Sequence, residues 1–282
     1  MKKLLIHLHI YYPELYSQLE SYLKNIDDFE YDLFVTKPEA NADLEQSIKA
    51  SFPNSKISYV DNVGYDVYPF VSVINECNLD DYSYVIKLHT KRNIPRNASL
   101  FWFYGSKWRD SLLEFIKTKD NFKRAISYLE LNKNVGMHGA KECLFSNYSD
   151  DPKAKVQFCK YSELKKYEFV AGSIFVVRAE LLKKFKALNL TKSDFKNSDV
   201  THQSCQLAHI MERMFGSCVV TQKCNIRDCL HSSISNHFSK LLLILRAFCL
   251  KYILTIRITK KNKLLVKFLK LPVFSKKLKD KS

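Results

Sequence analysis

A cluster of polar and cationic side chains follows a buried strand of the predicted fold. Residues Tyr82 to Leu88 form an apolar run typical of a buried strand, and the sequence His-Thr-Lys-Arg follows directly at residues 89–92. The carboxyl end of a strand is where open α/β sheets bind ligands. Cations at this point could neutralise a diphosphate and stabilise the charge that develops on it as a leaving group. The candidates are His89, Lys91, Lys87 and Arg92. The alternative is a solvated turn.

A second polar segment follows an earlier predicted strand, Ile57 to Val60. It reads Asp61-Asn62-Val63-Gly64-Tyr65-Asp66 and leads into a helix that contains Pro69 in its first turn. Carboxylates and amides at the end of a strand can bind the hydroxyl groups of a ribose or a sugar. The local alternative is that Asp66 caps the next helix while Asn62 and Gly64 form a turn.

The predicted helix from His202 to Phe215 carries a further set of functional side chains. His209, Glu212 and Arg213 lie at spacings that place them on one side of this helix. A carboxylate is a common general base, and Glu212 or the nearby Asp199 could accept the proton of a hydroxyl group. The alternative is a network of ion pairs on the helix surface.

Two other pairs of residues are candidates for shaping the site. Trp108 and Arg109 would contact a second substrate or pack their loop onto the core. Gly172 and Ser173 lie within the apolar run Phe169 to Arg178, which predicts a buried strand. A glycine there would allow close approach of the backbone to a ligand.

The elements that must position these residues alternate between strands and helices. Apolar runs predict strands at Lys3–Ile10, Tyr31–Thr36, Ile57–Val60 and Tyr82–Leu88, and helical spacing predicts helices at Glu14–Asn25 and Asn41–Phe52, the second capped by Asn41. Such alternation predicts an α/β fold with a mostly parallel sheet covered by helices on both faces. We expect one domain over residues 1–236 and a separate tail over residues 237–282.

The tail is strongly basic. The chain has 282 residues and a formal charge of +16, and residues 237–282 contain thirteen Lys or Arg and one acidic residue, so they carry +12 of it. Leu241 to Ile256 is too short and too charged to predict a spanning helix. Lys260 to Lys281 interleaves lysines with apolar residues, which favours an amphipathic helix on an anionic membrane surface. A packed helix and a nucleic-acid-binding arm are the alternatives, and the low aromatic and arginine content argues against nucleic acid.

The cysteines and the amino terminus point to a reducing compartment. Eight cysteines occur without a CxxC pair, and His7 and His9 interrupt the first apolar run, which therefore indicates a strand instead of a signal peptide. The spacing of Cys218, Cys224, Cys229 and His231 is the nearest to a zinc site, but ordinary reduced cysteines are the favoured interpretation. The predicted location is cytoplasmic, on the inner face of the plasma membrane.

Seven phrases of the sequence together resemble the rhamnan synthesis F family of bacterial polysaccharide enzymes. In chain order they are HIYYPEL, YDLFVTKP, DNVGYDVYPF, YSYVIKLHTKR, WRDSLL, AGSIFVVRAELL and AHIMERMFG. The resemblance runs from about Leu5 to Gly216. The family usually has Asn-Arg-Gly-Arg-Asp before its Pro-Phe pair. This chain keeps Asn62, Gly64 and Asp66 but has Val63 and Tyr65 at the arginine positions.

The resemblance implies a GT-A-like glycosyltransferase that acts in the assembly of a surface polysaccharide such as a lipopolysaccharide. The implied substrates are a nucleotide-activated deoxysugar, with dTDP-rhamnose as the expected donor, and a lipid-linked saccharide acceptor. No cofactor is expected. GT-A enzymes usually hold a metal through aspartates at the end of the fourth strand, yet no aspartate occurs between Tyr82 and Asp110. A metal-independent reaction follows from that reading.

Under this interpretation the candidate residues fall into three groups. The catalytic residues are Glu212, Asp199, His89 and Lys91. The donor-binding residues are His9, Asp61, Asn62, Gly64, Asp66, Lys87, Gly172, Ser173, His209 and Arg213. The residues on the acceptor side are Trp108 and Arg109. A non-catalytic binding or scaffolding subunit of a polysaccharide-assembly complex is the rival interpretation.

Overall fold

The computed structural model describes most of the chain up to residue 231 and three segments of the tail. The described residues are 3–93, 105–146, 152–163, 167–196, 206–231, 241, 245, 254–258, 263–268 and 271–277.

The elements alternate as the sequence predicts. In chain order they are β1 (Lys3–His9), α1 (Tyr16–Leu23), β2 (Tyr31–Lys37), α2 (Ala42–Ser51), β3 (Lys56–Tyr59), α3 (Val67–Glu76), β4 (Tyr82–His89), α4 (Lys107–Leu113), α5 (Lys119–Leu131), β5 (Val135–His138), β6 (Leu144–Ser146), α6 (Pro152–Phe158), β7 (Glu168–Val170), β8 (Phe175–Arg178), α7 (Lys183–Lys186), α8 (Lys192–Lys196), α9 (Leu207–Val220), β9 (Asn225–Arg227), β10 (Leu254–Ile258), β11 (Lys263–Phe268) and β12 (Leu271–Lys277).

The first four strands form the parallel half of a seven-stranded sheet of order β3-β2-β1-β4-β8-β5-β9. The register pairs His9 with Thr36 on β2 and with His89 on β4, so three polar residues lie side by side at the carboxyl edge. β1, β2 and β4 are largely buried under helices, which explains their nearly continuous apolar runs, whereas the edge strand β3 is mostly exposed. The predicted mostly parallel α/β sheet is confirmed.

The second half of the sheet reverses direction. β8 is antiparallel to both β4 and β5, and β9 is parallel to β5. The prediction of one strand from Phe169 to Arg178 is therefore wrong. Gly172 and Ser173 have positive φ angles of 95° and 46°, which end β7 and turn the chain into β8. Because β8 starts where β4 ends, this turn lies at the carboxyl edge of the parallel strands.

Helix α9 is held unusually close to β7. A Cβ on Gly216 would lie 2.0 Å from the carbonyl oxygen of Glu168, so only glycine permits this approach. One turn earlier on the same helix, the Glu212 carboxylate reaches the backbone amide of Gly172. The predicted helix from His202 is confirmed from Leu207 onward, and residues 201–205 lie outside the described part.

The three segments described after Leu245 are strands, whereas Leu241 and Leu245 themselves have helical backbone. β10, β11 and β12 form an antiparallel sheet, which overturns the predicted amphipathic helix over Lys260–Lys281. The physical reason is visible in Leu254–Ile258, where apolar and polar residues alternate with a period of two and include β-branched side chains. The division into a domain at 1–236 and a tail at 237–282 stays a prediction.

Neither a membrane-spanning helix nor a metal cluster is found in the described residues. Each described helix is too short or too polar to cross a bilayer. Within the same residues, no group of three or more His, Cys, Asp or Glu side chains could hold a metal ion. Cys77, Cys143, Cys159, Cys218, Cys224 and Cys229 are free thiols.

The close contact between α9 and β7 can be tested by adding one methyl group. We expect Gly216→Ala to lower the free energy of unfolding by about 1–3 kcal/mol because of overpacking, although alanine has the higher helix propensity. Urea denaturation would measure the change. Leu131→Ala, at an 82% exposed position near the end of α5, is the control and should have little effect. A more stable Gly216→Ala variant would contradict the contact.

Candidate active site

The ammonium group of Lys87 is buried at the centre of the carboxyl edge. Its side chain is 0% exposed and forms an ion pair with Asp66. Its Nζ also donates to the carbonyl oxygen and to Oγ of Ser173, at 3.1 Å each. An ammonium has three donors, and these three acceptors use them all. Lys87 is therefore a positioning residue that joins β4 to the Asp66 turn and to the start of β8, and the predicted direct contact with a donor phosphate does not fit this geometry.

Asp66 lies at the end of the polar turn and faces this lysine. Its Oδ2 accepts a hydrogen bond of 2.5 Å from the Ser173 hydroxyl and lies 3.5 Å from Nδ1 of His89. Its side chain makes no capping bond to α3, so the capping alternative is wrong. Burial would raise the pKa of the Asp66 carboxyl, but the charge of Lys87 and the hydrogen bonds from Lys87 and Ser173 hold it well below its usual range. Lys87 is the partner that carries a charge, because His89 is itself neutral.

Three histidines surround this ion pair without contributing charge. His7 and His9 both contact the hydroxyl of Thr36, at 2.8 and 3.0 Å, and His89 lies on the neighbouring strand. Burial lowers the pKa of His9 to about 4. It also holds the pKa values of His7 and His89 well below the ordinary value, with the Lys87 charge acting in the same direction. His89, which in its neutral form has one donor and one acceptor nitrogen, therefore does not act as the predicted cation.

The Gly172–Ser173 turn borders the same cluster. The amide of Gly172 donates a 2.6 Å hydrogen bond to Oε1 of Glu212, and Trp108 Nε1 donates to the carbonyl of Ala171 at 3.1 Å. A Cβ on Gly172 would lie 3.0 Å from that indole nitrogen, so glycine is required both for its positive φ and for the contact. Glu212 is thereby fixed beside the turn.

Lys91 is the cation that the strand end presents. Its Nζ lies 4.0 Å from the centroid of the Trp108 ring, and no carboxylate pairs with it in the described part of the chain. Arg109 donates to the carbonyl of Lys91 at 3.2 Å, so Trp108 and Arg109 both hold this segment in place. Arg92 is turned away by an exposed pair with Glu14.

Several predicted residues do not converge on this cluster. Asp61 pairs with Lys192 at the surface, and the Asn62 amide donates to the hydroxyl of Tyr11 at 3.3 Å. Arg213 is buried, donates to the carbonyl of His209 and lies over the Phe169 ring. Arg213 therefore supports α9 from within. Of the predicted helix network, His209 Nδ1 and Glu212 Oε2 lie 3.9 Å apart. Asp199 lies outside the described residues.

The structure adds functional neighbours that the sequence reasoning missed. The Thr36 hydroxyl joins His7 to His9, and the Thr90 hydroxyl accepts the amides of Tyr11 and Tyr12 at 3.0 and 2.9 Å. Tyr65 packs on His209 with ring centroids 5.7 Å apart. Thr36 and Thr90 could have been found from their position at strand ends. The contact of Tyr65 depends on a helix about 140 residues away, so no local pattern indicates it.

The end of β4 and the Gly172 turn thus bring together a cation, Lys91, a neutral imidazole, His89, and a fixed carboxylate, Glu212. Lys91 and His89 could bind a phosphate, and Glu212 lies beside the close backbone turn at Gly172. The model of the family described as rhamnan synthesis protein F matches residues 1–224. The chain belongs to this family. The resemblance found in the sequence is confirmed.

Membership in the rhamnan synthesis protein F family assigns the protein to the glycosyltransferases of polysaccharide synthesis. Among solved structures, S. aureus TarS 1-349 is similar with a TM-score of 0.42 and 11% identity, over 88% of this chain and 72% of the TarS chain. No curated protein matches the chain.

The buried neutral histidines predict an acid-sensitive fold. A histidine whose pKa is depressed in the folded state contributes its full stabilisation above its pKa in the unfolded state, about 6.5. That stabilisation is lost as the pH falls toward its pKa in the folded state. For His9 this window extends down to about pH 4. The slope is at most about 1.4 kcal/mol per pH unit for each such histidine.

Urea denaturation between pH 7.5 and pH 5 would measure this loss. We expect His9→Asn to reduce the steepness of the decline, whatever it does to stability at pH 7.5, because one titrating group has been removed. An unchanged slope in the variant would show that His9 is not buried as a neutral group.

Proposed function

We propose that the protein transfers rhamnose from dTDP-rhamnose to a lipid-linked saccharide, without a metal, during synthesis of a surface polysaccharide. The observation that carries this proposal is the end of β4, where Lys91 and His89 stand in place of carboxylates. Family membership supports the reaction class. The deoxysugar, the acceptor and the metal-free mechanism are our extension of it.

In this reaction the acceptor hydroxyl attacks the anomeric carbon while the bond from that carbon to the diphosphate breaks. The electron pair of that bond goes to the diphosphate, which leaves with additional negative charge. Lys91 would stabilise that charge as a fixed cation, and His89 would donate a hydrogen bond to it. Lys87 contributes indirectly, since it fixes Asp66 and the Ser173 turn.

Glu212 is the general base of this proposal. Its carboxylate must take the proton of the acceptor hydroxyl as the new bond forms. The amide of Gly172 fixes Oε1, which leaves Oε2 for this purpose, at 3.9 Å from Nδ1 of His209. Asp199 remains the alternative base.

The acceptor would approach from the side of Trp108 and Arg109. These residues hold the segment around Lys91 against the Ala171–Gly172 turn, so they shape the rim on which a saccharide would lie. We place the enzyme at the cytoplasmic face of the membrane, because an acceptor anchored in lipid and a tail of charge +12 both favour an anionic surface.

The assignment of Lys91 can be tested with purified protein and dTDP-rhamnose. We expect Lys91→Ala to lower kcat by about 10²–10³-fold, the usual effect of losing one group that stabilises transition-state charge. Release of dTDP in the presence of acceptor would be measured. Lys133→Ala, which removes an exposed lysine after α5, is the control and should retain full activity.

Two results would contradict this mechanism. Full activity of Lys91→Ala would remove the leaving-group assignment, and strict dependence on added manganese would exclude a metal-free reaction. Binding of dTDP-rhamnose without turnover, with every acceptor tried, would favour a non-catalytic subunit.

The tail can be tested by truncation after Asn236. We expect the full chain to float with vesicles that contain anionic lipid and the truncated chain to remain in solution, because most of the positive charge is lost. Flotation with neutral vesicles is the control for charge. Equal flotation of both chains with anionic vesicles would contradict a membrane role of the tail.

A further inference from the structure

Tyr65 presents an aromatic face at the rim of the site. Tyr65 is 51% exposed. It lies in a turn in which Gly64 has a φ of 67° and Tyr65 itself a φ of 55°. Its hydroxyl donates to Oε1 of Gln206 at 3.0 Å, and its ring packs on His209. Contacts with Gln206 and His209 hold this exposed ring in place, so it is a preorganised surface for a ligand.

His209 lies beneath this ring and has unused hydrogen-bonding capacity. Its Nε2 is buried, and no group within the described residues bonds to it. A buried polar atom without a partner is costly, so a ligand group at this point would be favourable. Nδ1 lies 3.9 Å from Oε2 of Glu212, which places a carboxylate in the same wall.

The charged and polar groups of the site come from two elements. The end of β4 presents Lys91 and the donor group of His89, whereas the wall on α9 presents Tyr65, His209 and the Glu212 carboxylate. A carboxylate repels phosphate, so the α9 wall is unsuited to the diphosphate. An aromatic face with an imidazole and a carboxylate beside it suits a neutral molecule that has both C–H surface and hydroxyl groups.

We propose that Tyr65 and His209 bind the sugar of the donor and select a deoxysugar, an inference that rests on the proposed transferase function. The C-methyl group of such a sugar packs on the face of Tyr65, and His209 Nε2 bonds to one ring hydroxyl. A sugar with a hydroxymethyl group instead would place a polar group against the aromatic face. The diphosphate then extends toward Lys91.

The test compares two ligands that differ only by the sugar. Binding of dTDP and of dTDP-rhamnose to the full chain would be measured by isothermal titration calorimetry, with dTDP-glucose as the hydroxymethyl comparison. We expect Tyr65→Ala to weaken dTDP-rhamnose binding by roughly tenfold, to weaken dTDP-glucose binding less, and to leave dTDP binding unchanged. Unchanged dTDP binding also shows that the variant is folded.

Matched variants control for loss of an exposed tyrosine and for backbone strain. Tyr59→Ala removes a ring that is 57% exposed and whose hydroxyl bonds to Glu45, and it should change none of the three affinities. Tyr65→Asn should behave as Tyr65→Ala does, because asparagine adopts positive φ more readily.

The outcomes separate this inference from the proposed function. If the wild-type chain binds neither dTDP nor dTDP-rhamnose, the proposed function fails and this inference with it. If the wild-type chain binds both, but Tyr65→Ala weakens both equally or weakens neither, the sugar assignment alone is overturned. An equal loss for dTDP-glucose and dTDP-rhamnose would remove the preference for a deoxysugar.

Discussion

The rest of the site depends on the buried ion pair between Lys87 and Asp66. A lysine inside an apolar sheet is costly unless its charge is paired and its donors are used. Asp66 and the two oxygens of Ser173 meet both requirements. Lys87, Asp66 and Ser173 come from three separate parts of the chain: the strand β4, the turn before α3 and the turn before β8. The pair therefore fixes the geometry of the carboxyl edge.

The neutral histidines around this pair keep the edge polar without adding charge. His7, His9 and His89 are buried close to Lys87, and both burial and the ammonium oppose their protonation. Positive charge is then presented to the cleft by Lys91 alone among the residues of β4 and its end, since Arg92 pairs with Glu14. Such an arrangement concentrates the attraction for an anionic group at one point.

Helix α9 brings further polar side chains to this edge of the sheet. Gly216 allows the helix to approach β7, so that Glu212 reaches Gly172 and His209 reaches Tyr65. The antiparallel strand β8 is equally necessary, because its direction brings the Gly172–Ser173 turn to the edge where β4 ends. A sheet that stayed parallel would place that turn at the opposite edge.

The sequence predicts the alternation of strands and helices, the mostly parallel sheet and the polar residues at the ends of β1 and β4, because these depend on local periodicity and composition. Its motifs indicate the family. The roles of the individual site residues depend on the tertiary structure. The position of Lys87 suggested a cation that binds a phosphate, but its three donors are used by Asp66 and Ser173. His89 is neutral because it is buried. The break at Gly172–Ser173 and the strands of the tail also escaped prediction, since short apolar runs fit more than one element. Burial and pairing between distant segments set charge and direction, and no local pattern contains them.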